Sequence, residues 1–138
     1  MTFALDERLQ RDTLLVGDMP LCRVLVMNDA RFPWLILVPR RERAVELTDL
    51  DSANRAALME ETGAAADWLK HETNADKINV GALGNIVRQL HVHVVARFVE
   101  DAAWPGPVWG QGVAQPYGAQ DAARFVAAAR RGLGLLDD

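Results

Sequence analysis

Two short apolar runs dominate the first third of the chain. Leu21-Cys22-Arg23-Val24-Leu25-Val26-Met27 and Trp34-Leu35-Ile36-Leu37-Val38 each have strand length, and the polar connector from Asn28 to Pro33 separates them. Two such runs joined by a breaker predict an antiparallel hairpin. Upstream, Leu5 and Leu9 with charged residues between them predict a short helix ending near Thr13, and Gly17-Asp18-Met19-Pro20 reads as a turn. From Leu50 the period changes. Leu50, Ala57, Leu58, Ala64, Ala65, Trp68 and Leu69 recur at helical spacing and predict a helix over about 49–72, solvated on its Glu60/Glu61 side. Thr48 and Asp51 suggest its capping box.

The second half returns to strands. Lys77 to Leu83 predicts one, the Gly81–Gly84 stretch a loop, and Val87 to Val99 a long strand. Asp101 to Gly118 is rich in proline and glycine but carries Trp104, Trp109 and Tyr117, which predicts an ordered loop or lid rather than a linker. Asp121 to Leu133 predicts a closing helix. The expected fold is α+β: an antiparallel sheet of about five strands with a long helix and terminal helices, one domain over residues 1–138.

Composition narrows the function classes. Half the residues are apolar, enough for an ordinary core that buries roughly two thirds of the unfolded surface. The net charge of −4, from 15 basic and 19 acidic residues, comes without a basic block. No nucleic-acid surface is expected, and an anionic ligand must be held by a local site. Cys22 is the only cysteine, which excludes an internal disulfide and a cysteine-based zinc site. The N-terminus meets Asp6 and Glu7 before any apolar run, and no stretch is long enough to span a bilayer, so the expectation is a cytoplasmic protein with no membrane partner.

The candidate chemistry lies in Arg88-Gln89-Leu90-His91-Val92-His93-Val94-Val95-Ala96-Arg97. In a strand, Gln89, His91 and His93 share one face and Leu90, Val92 and Val94 the other. Same-face neighbours lie roughly 7 Å apart, at a rise of about 3.4 Å per residue. Three readings fit. The histidines are half-buried strand residues. Or they chelate a metal, with His71 or a carboxylate as a further ligand. Or one of them is a nucleophile: neutral imidazole attacks phosphorus well, and a neighbouring histidine can donate to the phosphate oxygens or the leaving group. Trp104 and Trp109 are candidates for base stacking over a nucleotide, or for sealing a core edge or a subunit interface. Arg97 steadies phosphate or pairs with a surface carboxylate.

Gln89-Leu90-His91-Val92-His93-Val94-Val95 resembles the signature of the histidine triad (HIT) superfamily, in which histidines alternate with apolar residues. Leu25-Val26-Met27-Asn28, Leu35-Ile36-Leu37-Val38-Pro39 and Gly84-Asn85-Ile86-Val87 extend the resemblance over about residues 20–100. It implies a nucleotidyl hydrolase or transferase acting on the α-phosphate of a dinucleoside polyphosphate, nucleoside phosphoramidate or related nucleotide. His91 would be the nucleophile and form a nucleotidyl-histidine intermediate. His93 would contact the α-phosphate and the leaving-group oxygen, Asn28 the ribose hydroxyls, and Asn79 and Asn85 phosphate oxygens. No cofactor and no bound metal is implied, and a homodimer is. The chain departs from the pattern at two places: Gln89 stands where the first histidine of the motif would be, and Trp34 where some members carry a histidine at the start of a strand. Glutamine forms hydrogen bonds but does not titrate. A catalytically weak nucleotide-binding or regulatory protein is therefore the alternative.

Overall fold

The computed structural model describes residues 2–135; residue 1 and residues 136–138, the two ends of the expected domain, lie outside the described residues. The fold is α+β, as expected. A short helix α1 (Glu7–Asp12) leads into strand β1 (Thr13–Asp18), then β2 (Cys22–Met27) and β3 (Trp34–Pro39). The long helix α2 (Ser52–Thr73) follows, then β4 (Lys77–Gly81), β5 (Val92–Arg97) and a closing helix α3 (Ala119–Gly132). The strands form one antiparallel sheet in the order β1-β2-β3-β5-β4.

Burial explains the order. All six residues of β3 and all six of β5 are buried, so these strands belong in the middle, where each large aliphatic side chain contributes about 1.5–3 kcal/mol. On one face, Leu35, Leu37, Val92, Val94 and Ala96 pack with Leu58, Ala65 and Leu69 of α2. On the other, Leu25, Trp34, Ile36, Val38 and Val95 pack with Leu9, Phe32 and Val108. The site is built on this second face, under the N-terminal segment and the 101–118 loop. Among the described residues, no helix is long and apolar enough to cross a membrane.

The structure corrects four expectations. Strand β1 runs from the expected helix end through the unassigned residues 14–16 into the expected turn: a register shift between Leu15 and Gly17 breaks the alternation that would have revealed it. The capping box is formed by Glu46 and Asp49 around a short 3-10 turn, Leu47–Asp49, while α2 is capped by Asp51, whose side chain accepts from Asn54 N. Glu61 is not solvated; its buried carboxylate accepts the Leu21 and Cys22 N–H groups, both at 2.8 Å, and ties α2 to the start of β2. Lastly, the long strand Val87–Val99 shrinks to Val92–Arg97. Pairing with β4 ends at Gly81↔His93 and pairing with β3 ends at Leu37↔Val92, so residues before 92 have no ladder partner.

Candidate active site

The shortened strand changes the geometry expected at the motif. His93 is the second residue of β5, and His91 stands just ahead of the strand. The two imidazole rings still meet, at a centroid distance of 4.9 Å and an interplanar angle of 68°. Both side chains are buried and border an open cleft of about 450 Å³. His91 also borders a second cleft of about 310 Å³, with Glu46, Thr48 and Gly84 on its walls. Gln89 does not share a strand face with the histidines. Its side chain instead clamps the N-terminal segment: Oε1 accepts from Asp6 N and Nε2 donates to the Ala4 carbonyl, each at 2.8 Å.

Hydrogen bonds assign the protons. His91 Nδ1 lies 2.6 Å from the Gln89 carbonyl oxygen. That oxygen only accepts, so Nδ1 carries the proton and Nε2 keeps its lone pair. His93 has the opposite tautomer. Trp34 Nε1 lies 3.0 Å from His93 Nδ1, and an indole N–H only donates, so Nδ1 is the acceptor and Nε2 carries the proton. Burial, reinforced by the neighbouring His91, holds the His93 pKa down to about 3. His93 is thus a neutral donor at physiological pH. Side by side stand one imidazole with a free lone pair and one with a free N–H.

The walls of the cleft come from distant parts of the chain. Trp109 packs edge-on against His93 at 5.4 Å. Among the described residues, its Nε1 is buried without a hydrogen-bond partner. Gly81 permits this approach: a Cβ there would sit 3.0 Å from the Trp109 ring. Trp104 does not line the cleft and lies beside the Arg97 guanidinium, 5.7 Å from its ring centroid. Arg97 is neither a phosphate ligand nor a surface residue; it is 1% exposed. It donates to Asp101, to Asn79 Oδ1 at 2.7 Å and to the Gly106 carbonyl at 2.7 Å, anchoring the start of the 101–118 loop.

Of the three asparagines expected at the ligand, Asn85 borders the cleft from the loop before the motif. In the other two, the side-chain oxygen is engaged within the protein. Asn28 Oδ1 accepts from Tyr117 N at 2.9 Å, and Asn79 Oδ1 is taken by Arg97. The neighbour Asp29, which sequence reasoning passed over, borders the cleft instead, with Arg31. Burial alone would raise the Asp29 carboxyl, but hydrogen bonds from the Arg31 side chain, Arg31 N and Gln115 N hold it below its ordinary value. Arg8, Leu9 and Asp12 of α1 complete the rim. No local signal marks these residues, because the N-terminal segment reaches the motif only through contacts more than seventy residues apart, such as Arg8 to the Ile86 carbonyl. His71 is not brought to the pair: it lies exposed on α2 beside Asp67. Among the described residues, no group of three or more histidine, cysteine, aspartate or glutamate side chains is placed to hold a metal ion.

A model of the HIT domain family matches residues 8–100. The chain belongs to the HIT family. Solved structures of HIT proteins superpose on it closely. A histidine triad protein from Bradyrhizobium japonicum is 48% identical, with 96% of this chain and 99% of that chain covered and a TM-score of 0.94. A second, from Sinorhizobium meliloti, is 51% identical over 94% of this chain and 96% of its own, with a TM-score of 0.92. A third, from Marinobacter aquaeolei, is 41% identical over 99% of this chain and 100% of its own, with a TM-score of 0.95. None of the curated proteins compared matches the chain. Within this HIT chain, the family match includes both site histidines, Trp34 and Gln89, and ends before the 101–118 loop that seats Trp109.

Proposed function

We propose that this HIT protein is a nucleotidyl hydrolase or transferase in which His91 attacks the α-phosphorus of a nucleotide. The observation that carries the reading is the His91–Gln89 hydrogen bond, which leaves the His91 Nε2 lone pair free beside the cleft. Nε2 forms a bond to phosphorus as the bond to the leaving group breaks, and the leaving atom takes the electron pair. The nucleotidyl-imidazolium that results keeps its Nδ1–H on the Gln89 carbonyl, which stabilises the new positive charge. Water, or another acceptor in a transferase, then releases the nucleotide. His93 Nε2–H is the donor for the phosphate oxygens, and a single preorganised donor of this kind contributes about 100-fold or more in rate.

In this reading the cleft receives the nucleoside beside the Asp29–Arg31 pair, and Asn85 approaches the phosphates. Gln89, standing where the family's first histidine would be, supports the fold of the N-terminal segment and moves no proton. Because that amide is spent on Ala4 and Asp6, a nucleotide-binding protein with slow turnover is the second reading. Quenched incubation with dinucleoside polyphosphates separates the two. The unaltered chain should release nucleoside monophosphate, and His91→Ala should bind nucleotide without releasing it. Equal slow release by both proteins would refute the nucleophile. A cytoplasmic homodimer belongs to the same proposal, and light scattering giving a monomer mass would contradict the dimer.

A further inference from the structure

We infer that Trp34 is a positioning residue that locks His93 as a neutral hydrogen-bond donor, and that the site thereby favours leaving groups that depart as phosphate anions over the amines of phosphoramidates. The inference rests on His91 as nucleophile.

The lock is geometric. Trp34 opens β3, and its indole N–H points at His93 Nδ1 across the sheet at 3.0 Å. Placing a second proton on His93 would set two N–H groups face to face in a site where Trp34 is 5% and His93 6% exposed. Aromatic neighbours brace both rings. Phe32 abuts Trp34 at 6.4 Å, while His91 and Trp109 flank His93 at 4.9 and 5.4 Å. From β4 the residue opposite His93 is Gly81, which has no side chain, and from β3 it is Ile36. The charged groups around the same cleft are Arg8 and Asp12 on α1 and the mutually paired Asp29 and Arg31; on β5, Arg97 is occupied by Asp101.

The chemical consequence follows from the leaving atom. When His91 Nε2 bonds to phosphorus, a departing phosphate oxygen holds the released electron pair as a stable anion and needs only the hydrogen bond that His93 Nε2–H offers. An amine nitrogen needs a whole proton in the same step. To supply it, neutral His93 would have to become an imidazolate, and the Gln89 amide does not titrate. The two neighbours of the nucleophile therefore stabilise charge without transferring a proton.

Two measurements on the full chain test this independently. In ¹⁵N NMR of the unaltered protein, His93 Nδ1 should appear as an unprotonated acceptor, and His93 should not titrate between about pH 5 and 8. In Trp34→Phe, burial and His91 remain, so His93 should stay neutral but lose its fixed tautomer, with Nδ1 becoming partly protonated at the expense of the Nε2 donor. A protonated Nδ1 or a titrating His93 in the unaltered chain overturns the lock, and that result stands even if Trp34→Phe does not fold. In kinetics, kcat/KM for a dinucleoside polyphosphate should exceed that for the matching nucleoside phosphoramidate by about 100-fold or more, the lower end of what a general acid contributes. Trp34→Phe should narrow that ratio. Equal or better use of the phosphoramidate by the unaltered chain overturns the preference. Turnover of neither substrate overturns the nucleophile and the preference built on it, while the NMR result still decides the tautomer.

Discussion

Asp101→Asn is a perturbation whose cost can be worked from the contacts. One carboxylate oxygen accepts from Arg97 Nε at 2.8 Å and from Phe98 N at 3.0 Å; the other accepts from Arg97 Nη2 at 3.1 Å, Ala103 N at 3.0 Å and Trp104 N at 2.8 Å. The side chains of Arg97 and Asp101 are only 2% and 4% exposed. An asparagine can keep one oxygen in place, but its amide nitrogen then faces two donors, and Arg97 is left buried with its charge uncompensated. Two lost hydrogen bonds to a charged group, at about 1.5–3 kcal/mol each, place the destabilisation at about 3–6 kcal/mol. Urea unfolding should show a lower midpoint with an unchanged slope. The pH dependence has a definite sign. Burial alone would raise the Asp101 carboxyl, but the hydrogen bonds from Arg97 and the backbone N–H groups hold it well below its ordinary value. Its contribution is therefore full above about pH 4 and is lost as pH falls further. The gap between the unaltered chain and Asp101→Asn should shrink in acid. A loss under about 1 kcal/mol, typical of an exposed ion pair, would refute the view that this pair anchors the loop.

Two further outcomes follow from buried contacts. Cys22 is buried and its thiol is pushed up by burial and by the Glu61 carboxylate, so alkylation at mildly alkaline pH should run about 100-fold slower than for a free thiol and become complete in denaturant; rapid modification of the folded chain would contradict this. Gln89→Ala removes both bonds to Ala4 and Asp6, and amide exchange at Asp6 should quicken about tenfold, the equivalent of one net hydrogen bond; unchanged exchange would show that the amide clamp is dispensable.

The sequence carried the sheet's centre well because β2, apolar but for Arg23, and β3 are short hydrophobic runs and every residue of β3 is buried. The long helix was legible from its period, but not the burial of Glu61, since the partners of that carboxylate lie some forty residues away at Leu21 and Cys22. At the motif, alternation in sequence does correspond to the meeting of His91 and His93. It also suggested a strand through Gln89 that does not form, because pattern reports which side chains face the core and not whether a neighbouring strand supplies hydrogen bonds. Trp34 shows the converse. Its place in an apolar run marked it as a strand residue, yet its indole N–H on His93 is a tertiary contact across 59 positions and leaves no trace in local pattern. Asp29, Arg31 and the α1 rim were hidden for the same reason.

The most direct test is mass spectrometry of the intact chain after rapid acid-free quenching during turnover of a dinucleoside polyphosphate. A His91 nucleophile predicts a mass gain of one nucleotidyl group, mapped by peptide fragmentation to His91 and absent from His91→Ala. Sustained monophosphate release without any such adduct, or an adduct on another residue, would contradict it.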